Sequence, residues 1–234
     1  MQLWICPLLA FLLGSIPFGL IIARIKGINI REHGSGNIGA TNVLRVIGKK
    51  YGITCLLLDL LKGFIPVMIA ISLIRFEGMK SPLILTALLP HAQEFPMLTA
   101  QLFQILTALF AVLGHNYSPW VGFKGGKGIA TSAGVLLALM PAGVILLAVV
   151  WLAVFLTTRY VSVASIVAAA ALPLITIYGS WYHGKIADGT WNIPLFAFSV
   201  LIAVLAIWKH RSNIQRLRAG TEHRFTRKEK PANV

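Results

Sequence analysis

The chain reads as an all-α, polytopic integral membrane protein. Long apolar runs follow one another with little between them, charge is scarce, and most cations crowd into short polar stretches beside those runs. Of 234 residues, 57% are hydrophobic and only 12% charged, where a soluble domain carries about 25% charged residues. Runs near membrane-spanning length leave almost nothing for a separate soluble unit, so residues 1–234 are expected to form a single membrane-embedded domain. Its last part, 223–234, ends in RKEKPANV and reads as a flexible cytoplasmic tail.

A helix needs roughly 20 apolar residues to cross a bilayer. The candidate transmembrane helices are 3–23, 52–75, 99–119, 129–143, 144–158, 161–182 and 193–210. The first has an apolar core without a basic flank or a small-residue cleavage site, so it is read as a retained helix. The fourth and fifth are short and separated at Met140-Pro141-Ala142-Gly143, where Pro and Gly allow a tight turn. One long bent span there is the alternative, giving six spans. Segment 76–98, between the second and third, is partly apolar and is expected to skim the membrane.

Lys and Arg decide between six and seven. With seven transmembrane helices, one side receives Arg24, Lys26, Arg31, Arg45, Lys49, Lys50, Lys124, Lys127, Arg159 and the basic tail from Lys209. The other receives Arg75, Lys80 and Lys185. That asymmetry predicts the N-terminus outside and the C-terminus cytoplasmic. Six spans would divide the cations between the two faces. The net charge of +14 fits this bias together with attraction to anionic membrane lipids, and no nucleic acid is expected as a partner. Cys6 and Cys55 fall near opposite faces, so no disulfide is expected, and no metal-binding spacing of Cys and His is present.

Three polar stretches then share the cytoplasmic face. In HGSGNIGATNVLR (33–45), glycines let backbone N–H groups curl toward an anion. Ser35, Asn37, Thr41 and Asn42 add neutral donors, and Arg45 offers a fork to phosphate. In GHNYSPWVGFKGGKGIATS (114–132), Gly125, Gly126 and Gly128 with Lys124 and Lys127 stand before a helix start. This is a phosphate cradle without the spacing or the preceding strand of a nucleotide-binding P-loop. In KHRSNIQRLRAGTE (209–222), His210, Asn213 and Arg216 recur three apart and share a helix face. Gly220 stops that helix, and Glu222 is a lone acid expected to orient a cation or a substrate hydroxyl. The plain alternatives are a capped interhelical loop, a flexible basic loop and a basic amphipathic tail. Asp59 and Lys62, on one face inside the second span, are expected to form an internal ion pair.

Taken together and in order, SGNIGATN…R, HN…FKGGKG-x-AT and KH-R-x-N-I-x-R-L-x-x-G-x-E resemble the bacterial membrane glycerol-3-phosphate acyltransferase family that uses acyl-phosphate. The likeness runs over nearly the whole chain. It implies transfer of an acyl group from acyl-phosphate to the 1-hydroxyl of sn-glycerol 3-phosphate, giving lysophosphatidic acid and inorganic phosphate, the first acylation of phospholipid biosynthesis. It also implies a multi-pass protein of the bacterial cytoplasmic (inner) membrane with a cytoplasm-facing active site. No cofactor and no metal are expected. The expected partners are the two substrates, membrane lipids and, through functional coupling, a soluble enzyme that produces acyl-phosphate.

The family's motifs map onto Ser35, Asn37, Thr41, Asn42 and Arg45, then His115, Lys124, Gly125, Gly126, Lys127 and Thr131, then His210, Asn213, Arg216, Gly220 and Glu222. Asp59, Lys62 and Gly63 resemble its D-x-x-K-G pattern. The expected catalytic residues are Ser35, Lys127 and His210. The expected substrate-binding residues are Gly36, Asn37, Thr41, Asn42, Arg45, Lys62, His115, Lys124, Gly125, Gly126, Gly128, Thr131, Asn213, Arg216 and Glu222. Residues 125–128 with Lys127 are assigned to the acyl-phosphate head, and Arg45 with His210 and Asn213 to glycerol phosphate. Ser35 is expected to position the reacting groups.

His183 and Asp188 match the H-x4-D pattern of another class of glycerolipid acyltransferases. They fall in a loop predicted to be external, away from the basic stretches, and are set aside. A transporter of organophosphates is the rival of a different class. It is disfavoured because the polar motifs gather at one face and no internal repeat is visible.

Overall fold

The computed structural model describes residues 2–77, 79 and 93–225. The described chain is helical: α1 (Gln2–Ser15), α2 (Phe18–Ile25), α3 (Ala40–Val46), α4 (Lys49–Leu73), α5 (Met97–Asn116), α6 (Ile129–Leu139), α7 (Pro141–Thr158), α8 (Val161–Tyr182), α9 (Ile193–Lys209) and α10 (Arg211–Arg218). One exception to the all-α reading is a parallel pairing of β1 (Ile74–Arg75) with β2 (Gln93–Glu94). Most of segment 76–98, expected to skim the membrane, lies outside the described residues.

Among the described residues, five stretches are long and apolar enough to cross a membrane: Leu3–Ile25, Lys49–Leu73, Met97–Val121, Pro141–Thr158 and Val161–Tyr182. A sixth is formed if α9 and α10, bent by 51°, count as one. The first is broken at Ile16-Pro17, because proline lacks an N–H to continue the ladder. Backbone carbonyls freed in an apolar surrounding must find donors. Ser118 Oγ donates to the Ser15 carbonyl at 2.6 Å and Lys62 Nζ to the Ile16 carbonyl at 2.7 Å.

The break between the fourth and fifth runs falls at Met140, ahead of the expected 143/144 boundary. Pro141 takes the first helical position of α7, where its missing N–H costs nothing, and Ala142 and Gly143 continue the helix. α6 therefore has 11 residues and a length of about 16 Å, short of the roughly 30 Å hydrocarbon core. Lys127, just before α6, and Ser162, at the start of α8, both reach the same α10 cluster. α6 and α7 thus form a hairpin, the end of α7 lying on the same side as the start of α6.

Small residues set the closest helix contacts, as packing in lipid favours. A Cβ on Gly14 would strike the Ala111 backbone of α5, and one on Gly134 would strike the Leu60 carbonyl of α4. The main core joins Val67, Ala108, Val112, Val135, Leu172 and Phe198. A second cluster of Leu20, Ala23, Ile30, Ile38, Val43 and Cys55 lies beneath the polar end. Large apolar side chains such as Leu8, Leu57, Ile145, Val149, Leu174 and Val204 face outward. α7 buries only Gly143 and is apolar nearly all round. Both cysteines are free thiols.

Candidate active site

The first polar stretch is a loop wound around Asn42. Its Oδ1 accepts the Ser35 N–H at 2.9 Å, and its Nδ2 donates to the carbonyls of His33 and Asn37 at 3.0 and 2.9 Å. Asn42 is buried and its amide is spent on the loop, so it shapes the site rather than offering a free donor to it. Gly36 sits at φ +67, a conformation that side-chain-bearing residues resist. Asn37 accepts the Gly39 N–H at 3.0 Å, which turns the chain into α3. Ser35, Asn37, Thr41 and Arg45 all line one cavity.

The second stretch differs from expectation in which backbone groups are free. The N–H of Gly125 donates to the Asn116 carbonyl at 3.2 Å and that of Gly126 to the His115 carbonyl at 3.1 Å. Those two glycines seat the loop on the end of α5. A Cβ on Gly126 would collide with the His115 ring. The N–H groups of Ile129, Ala130 and Thr131, the first turn of α6, have no acceptor among the described residues. Gly128, Ile129 and Ala130 line the cavity, so the positive end of α6 opens there. Gly128 sits at φ +81, and a Cβ would press on the Asn116 amide. Thr131 is fully buried, and its Oγ1 is unpartnered among the described residues. The Lys124 side chain is exposed and lies outside the cavity; its carbonyl accepts from Arg31 at 2.8 Å.

The third stretch is closed by a Schellman turn: Gly220 is at φ +68, and the Thr221 N–H donates to the Arg216 carbonyl at 2.8 Å. The turn throws Glu222 back over α10. Its Oε1 accepts from Asn213 at 2.6 Å and from Ser162 Oγ at 2.8 Å, and its Oε2 from Arg216 Nε at 2.8 Å. Burial alone pushes the Glu222 carboxyl up, but those donors outweigh it and hold it below the usual carboxylate range. Asn213, oriented this way, presents its Oδ1 to Lys127 Nζ. Burial pushes the Lys127 ammonium down to about 8, with Arg216 and Arg45 adding to the shift and Glu222 opposing it. Arg216 buttresses Glu222 from outside the cavity lining. His210 stands at the bend between α9 and α10. Its Nδ1 lies 2.7 Å from the Ala206 carbonyl, so Nδ1 carries the hydrogen and Nε2 is left as an acceptor.

Asp59 Oδ1 lies 2.7 Å from Lys62 Nζ and 3.7 Å from His115 Nδ1, all three side chains being buried. Lys62 does not line the cavity. It holds the α1–α2 break through the Ile16 carbonyl, and Asp59 links it to the histidine beneath Gly126.

The cavity has a volume of about 680 Å³. Its polar end holds Ser35, Arg45, Lys127, His210, Asn213 and Glu222. It continues between α6, α7, α8 and α9 as an apolar groove walled by Leu136, Leu147, Trp151, Ala169, Leu172 and Ile202. Such a space accepts an anionic head and an aliphatic tail at once. His183 and Asp188 are exposed beyond the far end of α8. That helix of 22 residues spans about 33 Å, which separates them from the site at its near end.

Two participants escape sequence reading. Ser162 meets Glu222 across 60 residues. Phe225 lies against Arg45, whose guanidinium carbon is 4.9 Å from its ring centroid. Ser162 sits among apolar residues and Phe225 among polar and charged ones, and neither neighbourhood signals the contact.

The family profile described as "Glycerol-3-phosphate acyltransferase" matches residues 4–220. The chain belongs to the glycerol-3-phosphate acyltransferase family. It is an enzyme of the membrane-integral, PlsY-like kind within that family. Relatives named glycerol-3-phosphate acyltransferase include one from Aquifex aeolicus, 41% identical over 92% of this chain and 95% of its own. Another, from Geobacter metallireducens, is 45% identical over 92% and 94%. Among solved structures, PlsY, an integral membrane glycerol 3-phosphate acyltransferase in its glycerol 3-phosphate form, superposes with a TM-score of 0.76. It is 38% identical and covers 97% of this chain and 96% of its own. PlsY in its lysophosphatidic acid form gives 0.74 at 37% identity.

Proposed function

We propose that this enzyme transfers an acyl group from acyl-phosphate to the 1-hydroxyl of sn-glycerol 3-phosphate, giving lysophosphatidic acid and inorganic phosphate. The observation that carries this reading is one cavity in which a cationic, amide-rich end runs directly into an apolar groove. Both substrates carry phosphate, and one carries an acyl chain. Relatives solved in glycerol 3-phosphate and lysophosphatidic acid forms support the acceptor and the product.

The acyl-phosphate head is assigned to the first turn of α6 with Lys127, and its chain to the groove. Glycerol phosphate is assigned to Arg45, with Asn213 and His210 beside it. The 1-hydroxyl oxygen attacks the acyl carbonyl carbon, and the bond from that carbon to the phosphate oxygen breaks. Lys127 and the free α6 N–H groups stabilise charge on the carbonyl oxygen and the departing phosphate. The hydroxyl proton passes to the departing phosphate; His210 Nε2 is the alternative acceptor on the protein. Ser35 positions the hydroxyl.

On this reading the chain crosses the bacterial inner membrane seven times, with the short α6 as one passage, the N-terminus outside and the C-terminus in the cytoplasm, and the site faces the cytoplasm. There it meets soluble glycerol 3-phosphate and a soluble enzyme that makes acyl-phosphate. The cation asymmetry supports this arrangement.

The test is phosphate release by purified protein in lipid with palmitoyl-phosphate and glycerol 3-phosphate. Release that needs both substrates and yields lysophosphatidic acid is expected. Folded protein that turns over only with an acyl-thioester would reject the donor. Acyl chain retained covalently on denatured protein would replace direct transfer with an acyl-Ser35 route.

A further inference from the structure

We infer that Phe225 is a partition between the phosphate chamber and the acyl groove, and that it directs the acyl group to glycerol 3-phosphate rather than to water. The inference rests on the acyl-phosphate reading above. Phe225 lies beyond residue 220, where the family match ends.

Both faces of its surroundings are defined. On one side the Arg45 guanidinium sits 4.9 Å from the ring centroid, a cation–π distance. On the other, Phe155 of α7 meets the ring edge-on at 5.7 Å and stacks on Trp151 at 5.1 Å. Trp151 in turn donates to Ser165 of α8 at 3.2 Å. A continuous aromatic wall therefore runs from the headgroup cation to the groove. All of Arg45, Phe155, Phe225, Trp151 and Ser165 line the cavity.

The backbone holds the ring in place. The Phe225 N–H donates to the Arg159 carbonyl at 3.0 Å, and Arg45 Nη2 donates to the His223 carbonyl at 3.3 Å. Arg159 takes φ +64 at the end of α7. The strap from Thr221 to Phe225 thus carries Glu222 into the site at one end and closes it with an apolar ring at the other.

Acyl-phosphate is an activated anhydride. Water attacking its carbonyl carbon breaks the same carbon–oxygen bond, releases phosphate and leaves a fatty acid. An apolar ring at the junction keeps water from that carbon, while its π-face fixes the Arg45 guanidinium for the acceptor phosphate.

The test measures lysophosphatidic acid and free fatty acid together, by mass spectrometry, from palmitoyl-phosphate and glycerol 3-phosphate. Phe225→Ala is expected to raise the ratio of fatty acid to lysophosphatidic acid about tenfold. It should also raise KM for glycerol 3-phosphate roughly three- to tenfold. Phe225→Leu, which keeps bulk without the π-face, should restore the ratio but not KM, and Phe225→Tyr should restore both. Loss of both products in parallel, with ratio and KM unchanged, would mark Phe225 as a stability residue only and overturn the inference. A wild-type enzyme that makes no lysophosphatidic acid from acyl-phosphate would instead sink the underlying reading.

Discussion

Lys127 donates its ammonium to the amide oxygen of Asn213, which joins the glycine loop before α6 to the helix after the last span. Asn213 cannot turn its amide away, because its nitrogen donates to Glu222 at 2.6 Å. The cation is therefore held at the mouth of the α6 N-terminus before any substrate arrives. Preorganised charge of this kind contributes about 10²–10³ in kcat where it meets developing negative charge. Lys127→Ala should lower kcat/KM by about that factor in the coupled phosphate-release assay. Activity that survives the substitution would remove Lys127 from the cradle.

A pH profile tests the same group. Burial brings the Lys127 ammonium down to about 8, and the protonated form is the one that donates. Its charge is complete below that value and is lost as pH rises through it. kcat/KM should fall on the alkaline side, by about tenfold per pH unit beyond the limb. Lys127→Arg, whose guanidinium stays charged to above roughly pH 12, should move the limb upward even where its absolute rate is lower. An alkaline limb shared by both enzymes would assign the titration elsewhere.

The reach of sequence reading here follows from how local each signal is. Lys127, Arg45, His210 and Asn213 stand out because cations and amides among glycines are costly beside lipid without a purpose. Asp59 and Lys62 stand out for the same reason, and their pairing is what the structure has. The second partner of Lys62, the Ile16 carbonyl, depends on a proline break whose freed carbonyl meets α4 only after folding. Gly125 and Gly126 looked like anion donors, yet their N–H groups are spent on α5 carbonyls, since a glycine loop against a helix end has two uses with one composition. The α6 boundary moved to Met140 because Pro141 opens a helix as readily as it ends one. Ser162 has no local mark, as its role exists only once Glu222 folds back onto it.

The Asp59–Lys62 pair should behave as a buried unit. Both side chains are almost fully excluded from solvent, at 3% and 4% exposure, and removing one partner strands the other's charge. Lys62→Met should cost about 3–5 kcal/mol, read as a fall in Tm in detergent, and it also leaves the Ile16 carbonyl without its donor. The double variant Asp59→Asn with Lys62→Met removes both charges and should recover part of that loss. A double variant destabilised by the sum of the losses in Lys62→Met and Asp59→Asn measured singly would show that the pair is not coupled.

The apolar groove makes a prediction about chain length. Ser162, Ser165, Ala169 and Leu172 all line the cavity, and their spacing of three, four and three puts them on one face of α8. Ala169 is seven residues from Ser162, about 10 Å along the helix, so it borders the part of the groove that only a longer chain reaches. Ala169→Phe fills that part and leaves the polar end untouched. Long-chain acyl-phosphates should lose about tenfold in kcat/KM relative to short ones, with KM for glycerol 3-phosphate unchanged. Competition between octanoyl- and palmitoyl-phosphate, read by mass spectrometry of the lysophosphatidic acids formed, measures the shift. An unchanged product ratio in folded Ala169→Phe would place the acyl chain outside this groove, along a path that opens to lipid before reaching α8.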